Sequence, residues 1–221
     1  MTEKTTNSQP SPDKRLSQWL FNPFKFIAGF RALLLGVAII LLSAFFGWLG
    51  NTHFDGVIDV HTGLQGPLWF FCTEGLINWV CMAIPLFFFG LIVSHRSFRM
   101  IDVLGTQALA RWPYLVTSLA MLPGANRRFA EYIMSRLGMG AAAVSINYVD
   151  MLIFAFAMLL SILMVIWMVT LMYRAYAVSC NIKGAKAIIT FIIGLLSAEV
   201  LSKIVIIALL TNRFGANSTS F

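Results

Sequence analysis

The sequence predicts an all-α integral membrane protein, a bundle of five transmembrane helices with a cytoplasmic N-terminus. The 221 residues are 59% hydrophobic and only 11% charged, with a mean hydropathy of +0.81, whereas a soluble domain carries about 25% charged residues. Five apolar stretches are each long enough to cross a hydrocarbon core of about 30 Å. Most of the Lys and Arg residues lie just outside these stretches, as the orientation of a membrane protein requires.

The chain divides into a membrane domain between two polar tails. Residues 1–19 are rich in Thr, Ser, Asn, Pro and charge, which predicts a disordered cytoplasmic tail. The membrane domain covers residues 20–213, and residues 214–221 form a short external tail. The predicted spans are residues 26–49, 68–93, 103–122, 151–173 and 187–210. The third span is the weakest, because it contains Arg111 and Pro113.

The basic residues in the short flanks set the orientation, because the cytoplasmic side carries the excess of Lys and Arg. With a cytoplasmic N-terminus, the inner flanks hold nine basic residues and the outer flanks hold four. The inner residues are Lys4, Lys14, Arg15, Lys25, Arg96, Arg99, Arg174, Lys183 and Lys186, and the outer ones are Arg127, Arg128, Arg136 and Arg213. This asymmetry predicts an internal N-terminus, and five spans then place the C-terminus outside.

The outer loop over residues 123–150 carries three of the four outer basic residues. Apolar residues recur in it at helical spacing, opposite charged ones: Phe129, Tyr132, Ile133 and Leu137. This pattern predicts a short amphipathic helix over residues 126–137 that lies on the membrane surface. In the alternative topology the weak third span does not cross, and this loop and everything before the fourth span lie inside.

Five ionisable residues lie within the predicted spans: Arg31 near the start of the first, where it can extend to the headgroups, and Glu74, Arg111, Glu199 and Lys203 deeper in the others. A charge in hydrocarbon costs a few kcal/mol or more unless it is paired or faces a protein interior. Glu199 and Lys203 are four residues apart and therefore share one helix face. Depths counted at about 1.5 Å per residue place Glu74 near the level of Lys203, and Arg111 within reach of Glu199. We therefore expect a neutral network in which Glu74 pairs with Lys203 and Arg111 pairs with Glu199.

Two interpretations of this polar network stay open. In the structural interpretation it locks three helices together, and Asn78, Ser197 and Ser202 add hydrogen bonds between helices. In the functional interpretation it lines a path for a substrate or for protons, the usual role of ionisable residues within a membrane. The neutrality of the expected network favours the structural interpretation.

The first outer loop contains a weak candidate for a metal site. His53, Asp55, Asp59 and His61 all occupy odd positions, so that in an extended strand they share one face. Imidazole nitrogen and carboxylate oxygen are common metal ligands. The competing interpretation is a solvated polar loop between two spans, and we predict no metal or other cofactor.

Other chemistry is disfavoured by the motifs. The chain contains no Gly-x-Ser-x-Gly, no His-Glu-x-x-His and no CxxC pattern, so we expect no catalytic residues and no enzymatic activity. Cys72, Cys81 and Cys180 are isolated, and predict neither a disulfide framework nor a zinc site. The net charge is +7, and the basic residues lie beside the apolar runs. This position indicates that they contact anionic lipid headgroups rather than nucleic acid. The expected partners are the lipid bilayer, an unidentified membrane or cytoplasmic protein, and a second copy of the chain.

Three segments resemble bacterial members of the Yip-domain family of polytopic membrane proteins. The segment Asp102-Val-Leu-Gly-Thr-Gln-Ala-Leu-Ala-Arg-Trp-Pro113 resembles the family pattern Gly…Ala-x-Ala-Arg-x-Pro. The fourth span resembles the family in running from Trp167 into a basic turn, Lys183-Gly-x-Lys186-Ala, before a last apolar helix. Asn22-Pro-Phe is similar to the start of many bacterial members. The resemblance covers roughly residues 20–210 in layout.

The resemblance implies a five-helix protein of the bacterial inner membrane. Eukaryotic relatives bind Rab-type GTPases and act in vesicle traffic, whereas bacterial relatives have no agreed biochemical role. Gly66-Pro67-Leu68 resembles a Gly-Pro-Leu motif of eukaryotic members but lacks the acidic residue of that motif, so Rab binding is not carried over. We expect a non-enzymatic scaffold or adaptor; the alternative is a small transporter or permease that uses the intramembrane charges.

Overall fold

The computed structural model describes residues 18–62, 66–138 and 145–214, and it is 79% helical, which confirms the all-α class. Residues 1–17 and 215–221, most of the two predicted tails, lie outside the described residues. A 3-10 turn at Pro23–Lys25 precedes the main helices. These are α1 (Gly29–Gly50), α2 (Leu68–Val93), α3 (Met100–Leu109), α4 (Pro113–Ala120), α5 (Gly124–Arg136), α6 (Tyr148–Ser179) and α7 (Gly184–Phe214). Two short strands, β1 (Thr52–His53) and β2 (His61–Thr62), join α1 to α2.

In the part of the chain that the structure describes, four helices are long and apolar enough to cross a membrane, namely α1, α2, α6 and α7. They coincide with the first, second, fourth and fifth predicted spans, and they identify an integral membrane protein. The helix α6 is 32 residues long, or about 48 Å, so it extends well beyond the thickness of a hydrocarbon core.

The third predicted span is not one helix but two. The amide of Arg111 donates to the carbonyl of Ala108, and that of Trp112 to the carbonyl of Leu109, so the chain tightens into a 3-10 turn after α3. Pro113 then opens α4 at the first helical position, where its missing N–H breaks no helical hydrogen bond. The break places Arg111 in the middle of this segment.

The helices α3 and α4 lie along α1 over its length and run in the same direction. Gly29 at the start of α1 lies beside Asp102, and Gly50 at its end lies beside Met121. The backbones touch between these points, because a Cβ on Gly36 would overlap the backbone of Leu109. A small residue is therefore required where α1 meets α3.

The helix α5 confirms that residues 126–137 favour a helix, although it begins and ends slightly earlier. It packs against α6, and Arg128 on α5 forms a two-pronged ion pair with Asp150 at the start of α6, with N–O distances of 2.6 and 2.7 Å. This pair fixes the short helix to the bundle.

The helices α6 and α7 meet at the end of the bundle remote from the β-strands. There the Tyr176 hydroxyl lies 2.9 Å from Thr190 Oγ1, and Ser94 after α2 donates to the carbonyl of Cys180 at 2.7 Å. Leu86 of α2 lies against Gly194 of α7. At the other end, Ile58, Asp59 and Val60 lie against α6, and Asp59 binds Lys203 of α7.

Candidate functional site

The candidate site is formed by the hairpin, residues 52–62, and the helices around it. The strands β1 and β2 pair antiparallel, with Thr52 opposite Thr62 and His53 opposite His61. The tip of the hairpin, residues 54–60, turns back into the bundle, where Phe54 and Val57 are buried. The loop that we expected to be a polar outer connection is therefore a packed part of the membrane domain.

Polar side chains of three helices bind the backbone of the tip. Asn78 of α2 donates to the carbonyl of Phe54, and the Tyr114 hydroxyl of α4 donates to the carbonyl of Val57 at 2.8 Å. The amide of Ile58 donates to Glu199 of α7 at 3.1 Å. Irregular backbone at membrane depth is tolerated only where protein or water satisfies its polar groups, and these three side chains provide that for the tip.

The close contact between the hairpin backbone and Glu199 depends on the glycine at position 56. A Cβ on Gly56 would overlap the Glu199 carboxylate. Glycine at this point therefore lets the hairpin backbone and the carboxylate approach each other closely. Glycine is needed at position 56 because it makes room for the Glu199 carboxylate, not because the backbone turns there.

Glu74 pairs with His53 and not with Lys203, so the expected pairing was wrong. The Nδ1 atom of His53 lies 3.0 and 3.2 Å from the two oxygens of Glu74. The His53 ring stacks on Phe71, with ring centroids 4.3 Å apart, and both members of the pair are buried. Glu74 therefore fixes the base of the hairpin to α2.

Lys203 bridges the tip of the hairpin and its own helix. Its Nζ atom lies 2.6 Å from Asp59 and 3.6 Å from Glu199. The shared face of Glu199 and Lys203 was predicted from their spacing, and the ion pair confirms it. The expected hydrogen bonds between helices from Ser197 and Ser202 were wrong, because both hydroxyls donate to carbonyls of α7 itself.

Arg111 does not bind Glu199, contrary to the expected pairing. Its Nη2 atom donates instead to the backbone carbonyl of Asn78 at 2.7 Å. Its Nε and Nη1 atoms have no hydrogen-bond partner, although the side chain is fully buried. It lines a small cavity of about 10 Å³ between α1, α2, α4 and Phe54 of the hairpin.

The four candidate metal ligands divide into two groups. Asp55, Asp59 and His61 offer ligand atoms that all lie within 4.8 Å of one another, a set that could hold a metal ion. His53 is turned away toward Glu74. Asp59 already binds Lys203, so a metal ion would have to compete with that ion pair.

Asp55 and His61 also form a titratable pair of their own, with Oδ1 and Nδ1 3.3 Å apart. The close ion pair with His61 lowers the pKa of Asp55, although partial burial opposes the shift. The same ion pair raises the pKa of His61, and the charges of Asp59 and Glu74 add to this effect. The pair is therefore charged over a wider pH range than its separate groups.

Reasoning from the sequence missed the insertion of the hairpin, and with it the roles of Asn78 and Tyr114. A signal was present, because the tip alternates acidic residues with apolar ones, Phe54, Val57, Ile58 and Val60, which a solvated loop does not need. Comparison with protein families, with curated proteins and with solved structures finds no match.

Proposed function

We propose that this protein is a non-enzymatic membrane scaffold or adaptor with five crossings and an internal N-terminus. The proposal of a fifth crossing is supported by α3 and α4, which lie beside α1 from Gly29 to Gly50. A helix pair that follows α1 over this length covers the same depth of bilayer. The short helix α5 then lies at the outer membrane surface. The location in a bacterial inner membrane and the relation to the Yip-domain family belong to the same proposal.

One observation carries the scaffold function: the intramembrane polar side chains hold the hairpin. Glu74 binds its base, and Lys203 and Glu199 bind its tip. Within the described residues, the cavity of about 10 Å³ beside Asn78 and Arg111 has room for one water-sized particle, and a wider groove of about 230 Å³ runs along α6 beside Asp59. The far end of α6 and α7 is packed. Charges that are engaged by the protein itself favour the structural interpretation of the network.

A flux assay on proteoliposomes tests the scaffold function. Wild-type protein, Glu199→Gln and the matched control Glu131→Gln, an exposed carboxylate on α5, are reconstituted and loaded with a pH-sensitive dye. The scaffold function predicts no flux above that of protein-free vesicles for all three. Flux in the wild type that Glu199→Gln abolishes and Glu131→Gln retains would refute it. Purification of the tagged chain from native membranes after crosslinking is expected to recover a partner protein in stoichiometric amount.

A second candidate function, a proton-coupled small transporter, is favoured by the charge balance of the site. The site holds four carboxylates (Asp55, Asp59, Glu74, Glu199), two permanent cations (Arg111, Lys203) and two histidines. With neutral histidines the sum is two minus four, or −2, so two protons bring the site to neutrality. Proton relays within membranes are usually formed by linked carboxylates and histidines.

The histidines connect the exposed and buried parts of this site. The His61 side chain is 46% exposed, and its ring centroid lies 5.7 Å from that of the buried His53, which contacts Glu74. For the transporter function, an inward proton gradient is expected to collapse faster in wild-type vesicles than in Glu74→Gln vesicles. Equal rates would refute a path through Glu74.

A further inference from the structure

Arg111 is the buried intramembrane cation that has no carboxylate in direct contact within the described residues. The side chain is 2% exposed and holds a single hydrogen bond, to the neutral carbonyl of Asn78. Its other two nitrogens lack partners. Guanidinium has five N–H donors and is always charged, and a buried charge without a counter-charge costs several kcal/mol.

The carboxylates of the site contact groups other than Arg111. Glu74 binds His53, and Asp59 binds Lys203. Glu199 accepts from the amide of Ile58 and lies 3.6 Å from Lys203. Among the described residues Arg111 therefore has no carboxylate in direct contact, and the charge of Glu199 reaches it only through space. The cavity that it lines is the place for a closer counter-charge.

The cavity has the properties of a site for one small ion. Its volume is about 10 Å³, close to the smallest that holds a water-sized particle. Its wall combines the Arg111 guanidinium with the aromatic rings of Phe71 and Tyr114 and with Ser43 of α1. An apolar wall around a cation strengthens the attraction of an anion, because the local dielectric constant is low.

We propose that this cavity binds a small monovalent inorganic anion, chloride in a cell, as the counter-ion of Arg111. The ion accepts hydrogen bonds from Nε and Nη1 and neutralises the only guanidinium buried at the meeting point of α1, α2 and α4 in the described structure. It acts as a structural ion, independent of whether the protein is a scaffold or a transporter. The small size of the cavity excludes sulfate and phosphate.

Water is the competing occupant. Asn78 Oδ1, which also lacks a partner, is an acceptor on the same cavity. One water molecule could accept from Arg111 and donate to Asn78, but it would leave the positive charge uncompensated. The two occupants differ in one measurable respect, which is whether stability depends on the anion in solution.

The test is the thermal unfolding of the full-length protein in detergent, with sodium gluconate replaced by sodium chloride at constant ionic strength. We expect Tm to rise by about 5 °C and to saturate, because a ligand bound only by the folded state stabilises it by mass action. Fluoride acts similarly, whereas sulfate has no such effect. Arg111→Met is expected to lose the response, and Arg127→Met, which alters an exposed arginine on α5, to keep it.

An equal Tm in chloride and gluconate would overturn the proposal and leave water as the occupant. A response that Arg111→Met keeps would overturn it as well, since the ion would then bind elsewhere. Should Arg111→Met fail to accumulate, bromide soaked into crystals of the wild type decides the matter by anomalous scattering. A peak beside Arg111 supports the site, and its absence there refutes it.

Discussion

At the scale of single residues, the buried carboxylate of Glu74 shows how this protein uses charge inside its bundle. Glu74 is 2% exposed and contacts His53 through both oxygens. The pair joins α2 to the base of the hairpin, beside the stacking of His53 on Phe71. A buried polar group is costly without its partner, so the correct seating of the hairpin depends on this contact.

Glu74→Gln is expected to destabilise the protein by about 1–2 kcal/mol, since a neutral amide replaces a carboxylate in a buried hydrogen bond that charge strengthens. The free energy of unfolding in detergent, from denaturant titration, measures the change. Glu131→Gln is the control, because Glu131 lies in an exposed ion pair on α5 and such pairs contribute little. Equal losses for the two variants would contradict the role of Glu74.

The pair of Asp55 and His61 predicts a pH window for stability. The pKa of Asp55 is lowered, so the stabilisation exists above the ordinary value of about 3.9 and is lost as pH falls through the folded value. The pKa of His61 is raised, so the stabilisation exists below about 6.5 and is lost as pH rises through the folded value. The pair of Asp55 and His61 therefore makes its full contribution to the stability of the folded protein between about pH 4 and pH 6.5.

The difference in Tm between the wild type and His61→Gln measures this contribution against pH. We expect a difference of about 1–3 °C inside the window, small because both groups are partly exposed, and none well above it. His95→Gln, a change in an exposed loop, controls for general effects of histidine titration. A difference that persists unchanged at high pH would show that the ion pair is not its source.

The sequence identified most of the residues of the site but not their partners. Glu74, Glu199 and Lys203 stand out because charge is rare in apolar helices, and the spacing of the last two gives their mutual contact. The partners of Glu74 and Arg111 depend on where the hairpin lies. The depth of a residue along its helix does not give the position of the hairpin, because the hairpin is a loop that enters the bundle from one end.

At the scale of elements, the break between α3 and α4 and the close packing of α3 on α1 at Gly36 depend on each other. Pro113 ends the regular helix, and the 3-10 turn before it brings Arg111 to the centre of the bundle. Close packing of α1 on α3 then holds the broken segment in place. The sequence predicted this segment as a weak span because it contains Arg111 and Pro113, and the same two residues mark the break between the two helices.

Gly36→Leu is expected to destabilise the protein by about 1–3 kcal/mol or more, because the added side chain would push α3 away from α1. Ala38→Leu, an exposed position two residues further along α1, is the matched control and is expected to be nearly neutral. Thermal unfolding of both variants in the same detergent provides the comparison. A tolerated leucine at Gly36 would show that the two helices separate easily.

At the scale of the whole molecule, the hairpin fills the space that α6 and α7 leave between them. These helices touch near Tyr176 and Thr190, and toward the other end Asp59 of the hairpin lies between Lys203 and a groove along α6. Four membrane-spanning helices and the all-α class followed from apolar length alone, which is a property of local sequence. The placement of the hairpin is a long-range property, and only the assembled bundle defines it.

The number of crossings is tested by reporters fused to the two ends of the chain. If α3 and α4 together cross the membrane beside α1, the count is five, and the ends lie on opposite sides. We expect a reporter before Met1 to be active inside and one after Phe221 to be active outside, as the distribution of basic residues favours. An impermeant maleimide is then expected to label Arg127→Cys on intact cells but not Arg96→Cys, with the wild type as background for the native cysteines. Both ends on one side, or the same labelling result for Arg96→Cys and Arg127→Cys, would mean that the broken segment enters the membrane without crossing it.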